Sequence, residues 1–299
     1  MQSWPKTGRK KQPGFYLQVP EGAIHTPQVV TDSTCDLPKP LLDRWGITVV
    51  PMMIDIGGEV LREGLDITQR ELYEWMARTG ELPKTSQPSP SAFEAAFSVP
   101  AADGPLLCLT LSSKLSGTYQ AACLARDLTG ADVTVFDTLT TSLGLGLHVV
   151  RACELLGSGH SIGETVAELT RYRGEMKTLV LLNTLENIVK GGRLSRFQGT
   201  LSSALDIRVL LNDVEGEVVL LEKVHGHKKL LHRTVERMVA RRPDLSDRDV
   251  GITHFNNPDD AEWLVQAIGE ACHPRGFIVN EMGPAMATYA GEGGLIVSS

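Results

Sequence analysis

Nine short runs rich in β-branched residues and leucine, set between segments that carry helix-start signals, constrain this chain more than any other feature. The runs are VVTD (29–32), ITVVPM (47–52), PLLCLTL (105–111), DVTVFD (132–137), KTLVLL (177–182), EVVLLEKV (217–224), DVGIT (249–253), GFIVNE (276–281) and LIVS (295–298). Most are apolar along their whole length, the pattern of strands buried on both faces. Thr68 with Glu71, Ser91 with Glu94 and Ser161 with Glu164 each fit a capping box, in which hydroxyl and carboxylate satisfy each other's backbone amides. Gly80 and Gly174 are placed to end the first and third of these helices, and Asn257-Pro258 to start another. Strands alternating with helices predict an α/β fold with right-handed crossovers.

At 299 residues the chain is long enough for two domains. Residues 1–27 carry Lys6, Arg9, Lys10 and Lys11 with no apolar core behind them, which predicts a flexible basic tail rather than a secretory signal. A new set of strands begins after 170–176, so the expected domains are 28–172, mostly parallel, and 173–299, with a mixed sheet containing a hairpin that turns at Glu215-Gly216. The net charge of −7 argues against a broad nucleic-acid surface. No apolar run is long enough to span a bilayer. Cys35, Cys108, Cys123, Cys153 and Cys272 form no CxxC pair, which predicts free thiols in a reducing cytoplasm and no structural zinc.

The stretch LTLSSKLSGTYQAA (109–122) places three serines and two threonines between a strand and a helix expected to begin near Gly117 or Thr118. Ligands of open α/β sheets bind at the carboxyl ends of strands, where helix N-termini present free amides. Ser116, Gly117 and Thr118 therefore suit an anion, with glycine permitting close approach. The alternative is that Ser116 only caps the helix. A second hydroxyl-rich loop, PKTSQPS (83–89), holds Thr85, Ser86 and Ser89. Two such loops together suit a carboxylate or phosphate monoanion held by neutral donors.

Nucleophilic catalysis at Ser116 would need a base and its orienter, and neither His148 nor His160 is placed beside it by the sequence. There is no G-x-S-x-G elbow and no phosphate-binding G-x-x-x-x-G-K-[ST] loop, and GLGLH (144–148) is not expected to open a helix after a strand. Asp32, Ser33 and Thr34 fit either a strand-to-helix turn or a Mg2+ or sugar contact. Gly191-Gly192 fits a helix C-cap that presents Arg193 on a turn, either to an anion or to offset the helix dipole; Arg196 follows it. His225 and His227, read as one strand, point the same way but lack a third metal ligand.

The ordered set VVTDSTCDLP, PKTSQPS, LTLSSKLSGTYQAA, VFDTLTTSLGLG, NIVKGGRLSRFQG and DIRVLLNDVEGEVVLLEKVHGHKK resembles the DegV family from about Gln28 to the C-terminus. That resemblance implies two α/β domains around a buried long-chain fatty acid such as palmitate, with no cofactor and no catalytic residues. Its carboxylate would be held by Thr85 and Ser116, with Ser86, Gly117, Thr118 and Tyr289 in support. It further implies a cytoplasmic protein that presents the lipid to the catalytic subunit of a fatty acid kinase, for acyl phosphate formation and phospholipid synthesis, with Arg193 linked to the phosphoryl step. Other readings are a lipid binder not coupled to a kinase, and a hydrolase or transferase of small acyl or phosphorylated substrates.

The chain departs from the family pattern twice. Tyr289, in ATYAGEGG, stands where a histidine is usual, and His225 and His227 stand where arginine is usual. Tyrosine still donates a hydrogen bond but stays neutral. Burial of a C16 tail at about 0.8 kcal/mol per methylene gives roughly 10 kcal/mol before entropic costs, so the tail supplies affinity and the hydroxyls orientation.

Overall fold

A computed structural model describes residues 28–98, 104–194 and 206–299. The tail over 1–27 and Arg196 lie outside the described residues. Three sheets organise the rest. The first is parallel, in the order β2 (Thr48–Val50), β1 (Val29–Asp32), β6 (Leu106–Thr110), β7 (Val133–Asp137). The second has six strands, in the order β10 (Glu217–His225), β9 (Ile207–Val214), β8 (Thr178–Leu182), β13 (Leu295–Ser298), β11 (Asp249–His254), β12 (Gly276–Glu281). Only β11–β12 is parallel in it, so this sheet is mixed. The hairpin between β9 and β10 turns at Glu215 and Gly216, both with positive φ, as its sequence foretold.

The third sheet escaped the sequence reading. It is a small antiparallel one, β4 (Glu59–Arg62), β3 (Met53–Ile56), β5 (Lys84–Ser86). Of the run ITVVPM only Thr48–Val50 forms a strand, β2, with β3 beginning just beyond it at Met53, and Thr85 sits on an edge strand rather than a loop. Such three- and four-residue strands carry too little alternation to be read from sequence.

Helix α5 (Leu143–Gly157) is buried for most of its length because it packs on strands of both large sheets. GLGLH does open this helix, five residues after β7, contrary to expectation. Helix α6 (Ile162–Glu175) packs beside α5 and runs through position 172/173. The boxes at Thr68 and Ser161 form as expected on α2 (Gln69–Thr79) and α6. The box at Ser91 does not. Helix α3 (Pro90–Ser98) begins one residue earlier, and Ser89 Oγ accepts from the Ala92 amide. Gly174 stays inside α6, which ends at Glu175 with Met176 as its C-cap.

Residue alternation on the six-stranded sheet separates two cores. Leu179, Leu181, Val250 and Ile252 face α8 (His227–Arg241) and α9 (Pro258–Cys272). Val180, Leu182, Leu211, Val218 and Ile296 face the other way, toward α2, the small sheet and α10 (Pro284–Ala290). The second of these cores contains the site.

Candidate functional site

A cavity with about 690 Å³ of empty space, part of it open to solvent, lies between the six-stranded sheet, α10, the small sheet and the loop that leaves β6. Its wall is mostly apolar: Met52, Leu111, Val180, Leu182, Ile188, Val218, Met286 and Ile296 among others. Thr85, Ser86, Gln87, Ser116, Arg193 and Tyr289 also line it. The two hydroxyl-rich segments, 30 residues apart in sequence, thus meet in one space.

Contacts link several of these polar residues. Thr85 Oγ1 and the Tyr289 hydroxyl are hydrogen-bonded to one another. The Arg193 guanidinium lies 5.1 Å from the Tyr289 ring centroid, a cation–π geometry, and its Nε points to the Leu115 carbonyl at 3.4 Å. Ser116 follows, its Oγ 2.9 Å from Thr118 Oγ1. A Cβ on Gly117 would collide with the Gln87 side chain, so glycine at 117 lets the loop after β5 close over the start of α4 (Thr118–Thr129). Gly191 serves the same end for Tyr289, whose ring occupies the space a side chain there would need.

Ser116 is not the helix cap. Gly117 holds the N-cap position and no side chain caps it, which leaves Ser116 half-buried on the cavity wall. Gly117 and Thr118 themselves do not line the cavity. Thr118 is fully buried between Ser116 and Met52, 3.6 Å from the Met52 sulfur. Ser112 and Ser113 shape the loop: Ser112 Oγ donates to the Gly216 carbonyl at 2.7 Å, and the Ser113 amide donates to Asp137 at 3.2 Å. Arg193 stands on the turn after α7 (Glu186–Lys190), where Gly192 supplies the positive φ. His225 ends β10 and His227 begins α8 across Gly226, so the two share no strand, and His227 Nε2 pairs with Asp260 at 2.8 Å. No group of three or more metal-ligating side chains occurs among the described residues. All five cysteines are free, four of them buried and Cys123 partly so.

Three buried carboxylates behind the cavity escaped the sequence reading in part. Asp32 caps the turn after β1, accepting from the Thr34 amide at 3.0 Å, and accepts from the Leu111 amide at 2.9 Å. Asp36 accepts from Ser142 Oγ at 2.6 Å and from the Gly283 amide at 2.8 Å. Glu63 accepts from Ser33 Oγ and from the Ala285 amide at 2.7 Å. Asp36 and Glu63 therefore hold the start of α10, the helix that delivers Tyr289. Burial pushes Asp36 up to about 8, its bonds to Ser142 and Gly283 partly offsetting the rise and the charges of Glu63 and Asp32 adding to it. Burial likewise lifts Glu63 to about 7 and Asp32 to about 6. Gln87 was also missed, its role being visible only once Gly117 lies beneath it.

Fold and site together define a mixed α/β protein with an apolar cavity rimmed by hydroxyls and an arginine. The chain belongs to the DegV family: the model described as "Uncharacterised protein, DegV family" matches residues 26–299. A DegV domain-containing protein of Clostridium acetobutylicum is 38% identical over 266 residues, covering 88% of this chain and 94% of its own. A structure titled as fatty acid binding of a DegV family protein from Thermus thermophilus superposes with a TM-score of 0.85 at 32% identity, over 92% of this chain and 99% of that one. The Streptococcus pneumoniae fatty acid kinase B3 protein loaded with linoleic acid superposes with a TM-score of 0.81 at 26% identity, over 92% and 99%. No helix among the described residues is long and apolar enough to cross a membrane.

Proposed function

We propose that this protein binds a long-chain fatty acid such as palmitate, tail in the apolar cavity and carboxylate against Thr85 and Ser116, and presents it to a kinase in the cytoplasm. The observation that carries this is the union of Thr85, Ser116, Tyr289 and Arg193 on the wall of one apolar cavity. Fatty acid binding by the Thermus thermophilus and Streptococcus pneumoniae relatives supports it. When Tyr289 donates to Thr85, the Thr85 proton is free to point at a carboxylate, and the two bonds reinforce each other. Arg193 adds the positive charge that a carboxylate among neutral donors otherwise lacks. The protein is then a carrier without catalytic residues, and the phosphoryl chemistry belongs to the partner.

Incubation of the palmitate-loaded protein with a fatty acid kinase catalytic subunit and ATP tests the second half of this reading. Acyl phosphate should form with the native chain, and Arg193→Gln should lower its yield by more than it weakens palmitate binding. Palmitate bound without any acyl phosphate makes the protein a lipid binder uncoupled from a kinase. Hydrolysis of a small acyl or phosphate ester that Ser116→Ala abolishes favours the enzyme reading.

A further inference from the structure

A second cavity, with about 750 Å³ of empty space that opens to solvent, lies on the opposite face of the six-stranded sheet. The alternation that sends Val180 and Ile296 to the first cavity sends Leu179 and Val297 to this one, and the two share no lining residue. Among the described residues five cations line it, Lys177, Arg237, Arg241, Arg242 and Arg248, and Glu175 is the one acidic side chain in the wall. Arg248 and Arg171 already bind Glu175. The adjacent Asp213 accepts from the Thr178 amide at 2.9 Å.

Offsetting the C-terminal dipole of α8 accounts for Arg237, Arg241 and Arg242. It does not account for Lys177, at the start of β8, or Arg248, just before β11, which converge on the same space from two strands. Lys177 makes no ion pair with any described residue. Arg248 is only 6% exposed, and its Nε makes no hydrogen bond, its nearest anion being Asp247 Oδ1 at 3.8 Å. A buried guanidinium N–H left without a hydrogen bond is costly, and a phosphate oxygen is an acceptor that suits it. Below the cations, Leu179, Met238 and Leu245 give an apolar floor.

We propose that this cavity binds an organic phosphate monoester, its phosphate against Lys177, Arg241 and Arg248 and its apolar end on the floor. Calorimetric titration of the full chain with hexyl phosphate tests it, with inorganic phosphate alongside. One saturable site tighter for hexyl phosphate than for inorganic phosphate is expected. Lys177→Glu and Arg241→Gln, both at accessible positions, should each weaken it by about tenfold with unchanged melting temperatures. Preloading with palmitate should leave it unchanged. Sedimentation with phosphatidylcholine vesicles, with and without phosphatidate, identifies the source. Phosphatidate-dependent binding that the two variants lose points to a lipid head group, and its absence to a soluble monoester; both uphold the site. No saturable hexyl phosphate binding, binding indifferent to both variants, or displacement by palmitate overturns the proposal.

Discussion

Replacing Glu63 by glutamine should make the protein more stable at pH 8 and leave it nearly unchanged at pH 4.5. Glu63 is 4% exposed, and burial raises its carboxyl from 4.5 to about 7. Between those values the folded chain keeps a proton that the unfolded chain has released, so stability falls as pH rises through this window and levels off above it. At about 1.4 kcal/mol per unit, the rise amounts to an order of 3 kcal/mol. Glutamine can still accept from the Ala285 amide through Oε1 and can donate through Nε2 to Ser33 Oγ, so both present partners stay occupied. Urea unfolding at pH 4.5, 6 and 8 measures the effect. The native protein should lose stability across the series, with Asp36 extending the loss toward pH 8, and Glu63→Gln should lose about 3 kcal/mol less. Parallel pH profiles for the two proteins would refute the claim that a buried, proton-holding Glu63 anchors α10.

Tyr289→Phe removes the hydroxyl bonded to Thr85 and should weaken palmitate binding by roughly fivefold, read by calorimetry. Thr85→Ala with Ser116→Ala should cost more in acyl phosphate yield than in palmitate affinity, because the tail supplies most of the binding; unchanged values of both would contradict the assigned head-group position. Gly117→Ala forces Gln87 off the start of α4 and should weaken palmitate binding while the urea midpoint moves little.

The large sheets were legible because most of their strands, even four-residue β1 and β13, are mainly β-branched or apolar along their length, and β9–β10 declared itself through Glu215-Gly216. The small sheet was not, since Lys84–Ser86 is three polar residues whose strand character comes wholly from pairing with β3. Ser116 was readable as a candidate, but its release from capping depends on Gly117 taking the N-cap position, a one-residue shift that sequence does not fix. Asp36 and Glu63 were invisible for a different reason. Each sits in a polar stretch that reads as solvated, and only the arrival of α10, more than 200 residues later, buries them. The Thr85–Tyr289 bond spans 204 positions and belongs to the same class of long-range fact.

The central claim is that the apolar cavity holds a fatty acid. Denaturing the purified protein, extracting with organic solvent and weighing the extract by mass spectrometry tests it most directly. A long-chain fatty acid in near-stoichiometric amount is the predicted result. An extract free of fatty acid, from a protein that also takes up no palmitate on titration, would contradict it.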